Sequence, residues 1–139
     1  MQATRKDELC LVVPLDACNL ADLRWCAWSY LAAAKVASGM IEDILIALHE
    51  AVANALVHSG SSADIRVRVK ATREAVVIEV ADQGQGIDPQ VVIPPRPPGV
   101  TAECGRGLFM IWSLMSSVVL THGSGTHLVM VKELFPPRS

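Results

Sequence analysis

No apolar run in these 139 residues reaches the length of a membrane span, so a hydrophobic spanning helix is not expected. The opening Met-Gln-Ala-Thr-Arg-Lys-Asp-Glu lacks the apolar stretch and small-residue cleavage site of a secretory signal, which points to a cytoplasmic protein. The four cysteines, Cys10, Cys18, Cys26 and Cys104, are too scattered for a Cys-x-x-Cys zinc site. In an intracellular chain such thiols stay reduced, and buried structural thiols are the expectation. Neither sign of charge dominates: 12 Lys and Arg stand against 14 Asp and Glu, net −2 and interspersed. That balance leaves no broad electrostatic footprint for nucleic acid and argues against direct binding to it. Three motifs are also missing. There is no Gly-x-x-x-x-Gly-Lys-Ser/Thr loop. The third glycine of a dinucleotide fingerprint begun at Gly84 would fall on Pro89. The zinc-protease pattern begun by His49-Glu50 meets Ala53 where its second histidine belongs.

What is present fits one domain, residues 1–139, because a 51% hydrophobic chain of this length fills a single sizeable core. Leu9 to Val13 reads as a first strand. Leu20, Leu23, Ala27, Leu31 and Ala34 make the apolar stripe of a helix that Gly39 is expected to end. Ile65, Val67 and Val69 alternate with Arg66, Arg68 and Lys70, the pattern of a strand with one dry and one wet face. The wet basic face reads as a solvated surface that an acidic partner could also meet. Hairpins are expected from that strand to Val76–Ala81 through Thr72-Arg73-Glu74, and from Val118–Thr121 to Leu128–Lys132 through Gly123-Ser124-Gly125. The predicted fold class is a two-layer α/β sandwich whose mixed, mostly antiparallel sheet is covered by helices on one face.

Three short blocks carry the chemistry. From Ile41 to His58, Ile41, Ile44, Leu45, Leu48, Val52, Ala55 and Leu56 recur at three- and four-residue steps, an amphipathic helix. Asp43, Glu50, Asn54 and His58 fall on a second stripe beside the apolar one, since residues four apart share a helical face. A carboxylate and a carboxamide one turn apart suit magnesium, which takes few protein ligands and keeps waters and phosphate oxygens. Asn54 would then touch the metal and Glu50 would orient or deprotonate an attacking hydroxyl. His58 reads as capping or packing the helix end.

The second block, Asp82-Gln-Gly84-Gln-Gly86, ends the strand Val76–Ala81. A strand-end carboxylate can accept a hydrogen bond from an exocyclic amine, which adenine offers and guanine lacks at that position. Gly84 and Gly86 would let the backbone approach a flat ring. The third block, Gly105-Arg106-Gly107-Leu108, opens a helix whose apolar face is Leu108, Ile111, Trp112 and Met115. Backbone N–H groups at a helix start, aided by the dipole, form a phosphate site, to which Arg106 could add a charge-assisted contact. Between blocks two and three, Pro89, Pro94, Pro95, Pro97 and Pro98 mark residues 87–104 as a loop, read as a lid over the nucleotide.

In this order the blocks resemble the N, G1 and G2 boxes of the GHKL ATPases, the Bergerat-fold superfamily of gyrase, heat-shock chaperone, mismatch-repair and histidine-kinase ATP domains. The likeness is nearest to the anti-sigma factor serine kinases. Glu50-Ala-Val-Ala-Asn54-Ala-Leu-Val-His58 is similar to their N box, and Gly125-Thr126 before a strand is similar to the closing box. The resemblance implies Glu50 as catalytic base, Asn54 as magnesium ligand and Asp82 as adenine reader. Gly84 and Gly86 would lie under the nucleotide, Gly105 and Gly107 with Leu108 at the phosphates, and Thr126 near the adenine. It implies ATP and magnesium as cofactors, an anti-anti-sigma (STAS) factor as substrate, an alternative sigma factor as second partner, and a homodimer. The alternative is a regulatory module that binds ATP and protein partners without phosphoryl transfer. The chain departs from the family pattern at Ser59-Gly60, where an alanine and an aromatic are usual, and in its proline-rich lid.

Overall fold

A computed structural model describes residues 2–5, 8–14, 20–58, 64–82, 106–123 and 125–137. In chain order the elements are β1 (Gln2–Arg5), β2 (Glu8–Val13), α1 (Leu20–Ala33), α2 (Ser38–His58), β3 (Ile65–Ala71), β4 (Ala75–Asp82), α3 (Arg106–Leu114), β5 (Ser117–Gly123) and β6 (Gly125–Glu133). The strands form one six-stranded sheet in the order β1-β2-β3-β4-β6-β5. Every pairing among them is antiparallel, so the sheet, expected to be mostly antiparallel, holds no parallel pair among the described residues. β1, a hairpin partner of β2, carries too little apolar alternation to have been read from sequence.

Period-two alternation sets which side of the sheet is dry. On β3, Ile65, Val67, Val69 and Ala71 are buried while Arg66, Arg68 and Lys70 are exposed. Val76, Ile78 and Val80 of β4 and Leu128 and Met130 of β6 face the same way. Onto this face pack Leu23, Ala27 and Leu31 of α1, Ile44, Ala47, Leu48, Ala51 and Val52 of α2, and Leu108 and Ile111 of α3 in one continuous core. Each fully buried Ile or Leu contributes about 1.5–3 kcal/mol, so this layer dominates stability. The other face has no helical cover among the described residues. There Arg68 and Glu79 sit opposite each other in the β3–β4 register, and Arg68 Nε donates to Glu79 Oε2 over 2.6 Å. That hydrogen bond, with the charge of Glu79, raises an already high guanidinium pKa. The basic strand face is thus partly neutralised within the sheet. Cys10 and Cys26 are in no disulfide and are half-buried, where buried structural thiols were expected. Cys18 and Cys104 lie outside the described residues.

The first helix does not run to Gly39. It stops at Ala33, and Lys35 takes the left-handed conformation at φ 63°. The N–H of Lys35 donates to the carbonyl of Ala32 over 3.0 Å, and that of Val36 to the carbonyl of Leu31 over 3.1 Å. This is the double bond of a Schellman end, completed by apolar contact between positions of the kind occupied by Val36 and Leu31, both buried. Gly39 lies instead in the first turn of α2, which begins at Ser38, one turn before the expected start. A lysine in the left-handed region is strained by about 1–2 kcal/mol, less the extra backbone freedom a glycine loses on folding. Lys35→Gly is therefore expected to stabilise the fold by about 0.5–1 kcal/mol. A thermal melt should show its midpoint raised by about 2–4 °C; an unchanged or lower midpoint contradicts this account.

Candidate functional site

Two groups of the expected site residues are brought together by the fold. The first is on the helical layer. Glu50 and Asn54, one turn apart on α2, are half-buried. Against them comes the first turn of α3, with Gly107 as its second residue. A Cβ placed on Gly107 would lie 2.7 Å from Glu50 Oε2, 3.3 Å from Asn54 Nδ2 and 3.4 Å from Asn54 Oδ1. Real Cβ atoms do not approach that closely, so only glycine fits here without moving Glu50. Leu108, next in the chain, is buried in the core, which anchors the helix start that Gly107 presents.

The second group is at the ends of β4 and β6. Asp82 is the last residue of β4 and half-buried, and the register pairs it directly with Thr126 of β6. By alternation from Val80 and Leu128, both project on the side of the sheet that carries the helices. Beside Thr126, Gly125 is buried with φ 124°, a conformation open to glycine and rarely to other residues. An acceptor carboxylate beside a hydroxyl forms a pair of hydrogen-bonding groups of the kind that reads the edge of a base.

The other expected residues divide simply. Gly84, Gly86 and Gly105 lie outside the described residues, as does the proline-rich segment 87–104. Arg106 opens α3, and its backbone alone is described. His58 is the last residue of α2, again without a described side chain.

Chemically, the Glu50–Asn54–Gly107 group offers a carboxylate, a carboxamide and the open N–H groups of a helix start, where the dipole favours anions. Among the described residues no three His, Cys, Asp or Glu side chains gather as a metal cage. The donor set fits a hard cation that takes one or two protein oxygens and completes its shell with phosphate and water. A transition-metal site with soft ligands does not fit it. No helix among the described residues is long and apolar enough to cross a membrane.

Sequence reading missed one residue of this region. Lys132 lies on the core-facing phase of β6, in step with Leu128 and Met130, where a strand of this kind normally carries an apolar side chain. Its Nζ donates to Asp43 Oδ2 over 3.0 Å and to the carbonyl of Leu114 over 2.5 Å. A lysine in phase with buried residues was the available signal, since a buried ammonium requires partners.

The chain is similar to several known proteins. The family described as histidine kinase-like ATPase domain matches residues 13–132. The serine-protein kinase RsbW of Bacillus velezensis is 33% identical over 104 residues, 68% of this chain and 65% of its own length. RsbW of Bacillus subtilis is 31% identical over 104 residues, with the same shares. The match thus spans a little under two thirds of these relatives. A crystal structure of the RsbU and RsbW domains of a Mycobacterium tuberculosis protein superposes with a TM-score of 0.71 at 21% identity, over 97% of this chain and 35% of that one. That structure shares the fold. With a match running from the end of β2 almost to the end of β6, the chain belongs to the histidine kinase-like, GHKL-type ATPase family.

Proposed function

We propose that this protein is an ATP-dependent serine/threonine protein kinase of the GHKL type, acting in the cytoplasm on an anti-anti-sigma (STAS) partner and sequestering an alternative sigma factor. The observation that carries the reading is the seating of Gly107 against Glu50 and Asn54, which brings the start of α3 against a carboxylate and a carboxamide. The RsbW relatives support the kinase activity and the family supports ATP as its donor.

In this reading residues 1–139 are one ATP-binding domain. Asp82 accepts a hydrogen bond from the adenine amine, with Thr126 beside it, and Gly84 and Gly86 lie under the base. Gly105, Arg106, Gly107 and Leu108 present backbone N–H groups and a guanidinium to the phosphates. Asn54 would hold magnesium, which would supply positive charge to offset that developing on the phosphates. Glu50 accepts the proton of the partner's serine or threonine hydroxyl as that oxygen bonds to the γ-phosphorus and the bond to the ADP oxygen breaks. Segment 87–104, which lies outside the described residues, is read from its prolines as the lid of the nucleotide site. Phosphorylation frees the anti-anti-sigma partner and leaves this protein to hold sigma, in a homodimer as in the family.

Incubation with labelled ATP, magnesium and a candidate anti-anti-sigma protein tests the reading. Label is expected on a serine or threonine of the partner. Tight ATP binding without transfer to any such partner would favour the regulatory module instead. Base selection provides a separate check: Asp82→Ala is expected to weaken ATP binding by at least about tenfold while reducing discrimination against GTP, because a buried acceptor penalises a base that lacks the donor. Isothermal titration with both nucleotides measures it, and an unchanged ATP/GTP ratio removes Asp82 from base recognition.

A further inference from the structure

Asp43 belongs to the same polar stripe of α2 as Glu50 and Asn54, yet the proposed chemistry gives it no task. The structure connects it to Lys132, and Lys132 to the far end of α3. Leu114 is the last residue of α3, so Lys132 places a cation on the carbonyl end of that helix, where the dipole favours it. The neighbours of Lys132 grip the same stretch: the N–H of Ser116 donates to the carbonyl of Val131, and the N–H of Glu133 to Ser116 Oγ, each over 2.8 Å. The Lys132 side chain is only 16% exposed, so its ion pair is screened less than the surface pair of Arg68 and Glu79.

α3 is therefore fastened to α2 at two places. Its start meets Glu50 and Asn54 through Gly107, and its end meets Asp43 through Lys132. The step from Asp43 to Glu50 is seven residues, and so is the step from Gly107 to Leu114. At 1.5 Å per residue both cover about 10 Å, so the two helices lie antiparallel with matched spacing between their fastenings. The apolar side chains Leu108 and Ile111 hold α3 on α2, and the polar fastenings at its two ends add directional contacts that define its position along that neighbour.

We propose that Lys132 and Asp43 are positioning residues of the nucleotide site: they fix the axial register of α3 on α2 and thereby the approach of Gly107 to Glu50 and Asn54. The inference rests on the reading of those three residues as the site of phosphoryl transfer. A shift of about 1 Å between positioned groups can cost about a hundredfold in rate, so a distant fastening can matter without touching nucleotide.

The test compares Lys132→Met, Lys132→Arg and Asp43→Asn. In labelled, nucleotide-free protein, Lys132→Met is expected to move the NMR signals of the Gly107 amide and the Asn54 side-chain amide, while those of β3 stay in place. Well below the melting midpoint it is expected to lower kcat for phosphoryl transfer by at least about tenfold, and Lys132→Arg, which keeps the charge and has donors for both oxygens, is expected to restore most of it. Should Lys132→Met fail to fold, Asp43→Asn leaves the bond to Leu114 in place and carries the same comparison. Unmoved Gly107 and Asn54 signals in a folded variant overturn the inference, as does a rate loss that only follows the unfolded fraction. A wild-type protein that transfers no phosphoryl group overturns the proposed function instead, a result the nucleotide-free spectra do not depend on.

Discussion

Gly107→Ala is expected to leave the protein folded and to lower phosphoryl transfer by at least about a hundredfold. The added methyl carbon would stand 2.7 Å from Glu50 Oε2. That oxygen is the far end of a flexible, half-buried side chain, so it can swing away at little cost, and no backbone has to shift. Gly107 is in helical conformation without positive φ, and alanine is the better helix former by up to about 1 kcal/mol. The melting midpoint should therefore stay within a few degrees of wild type. What is lost is placement: the carboxylate leaves its position, and the methyl crowds Asn54 at 3.3–3.4 Å. Parallel melting curves and transfer assays decide the matter. If the variant transfers at the wild-type rate, or loses rate only as it unfolds, the close approach has no catalytic meaning. A double-mutant comparison sharpens it. If Gly107 acts through Glu50, adding Gly107→Ala to Glu50→Ala should cost little further rate.

Glu50→Gln isolates the proton-accepting step. The amide keeps the shape of the carboxylate and removes its basicity, so transfer is expected to fall by about 10²–10⁴-fold. Binding of ATP with magnesium should remain within a few-fold, because the phosphate and base contacts belong to other residues. Asn54→Ala should behave differently, weakening binding chiefly in its magnesium dependence. Titration calorimetry with and without magnesium, beside single-turnover transfer, separates the two. Equal loss of binding and of transfer in Glu50→Gln would mean that Glu50 holds the nucleotide or its metal and is not the base. Persistent transfer in Glu50→Gln would move the base elsewhere.

Local pattern alone was sufficient for most elements. The alternation of Ile65, Val67 and Val69 with Arg66, Arg68 and Lys70 determined both the strand and its dry side, and the three- and four-residue steps from Ile41 determined α2 and its polar stripe. The three glycine- and carboxylate-bearing blocks could be read as a candidate nucleotide site because their order in the chain, and the strand or helix each one ends or begins, are properties of short segments. Gly39 misled because a glycine near a helix end usually marks the stop, whereas here backbone hydrogen bonds around Lys35 close the helix first.

The contacts between segments were decided by the tertiary structure. That Asp82 faces Thr126 follows from the β4–β6 register, that Gly107 has no room for a side chain follows from how α3 lies on α2, and that Asp43 has a partner follows from a lysine on β6 turned inward. Periodicity reports which face of an element is buried, since that depends on its own residues. Register and approach depend on how faces far apart in the chain fit together, and that is fixed only when the core closes.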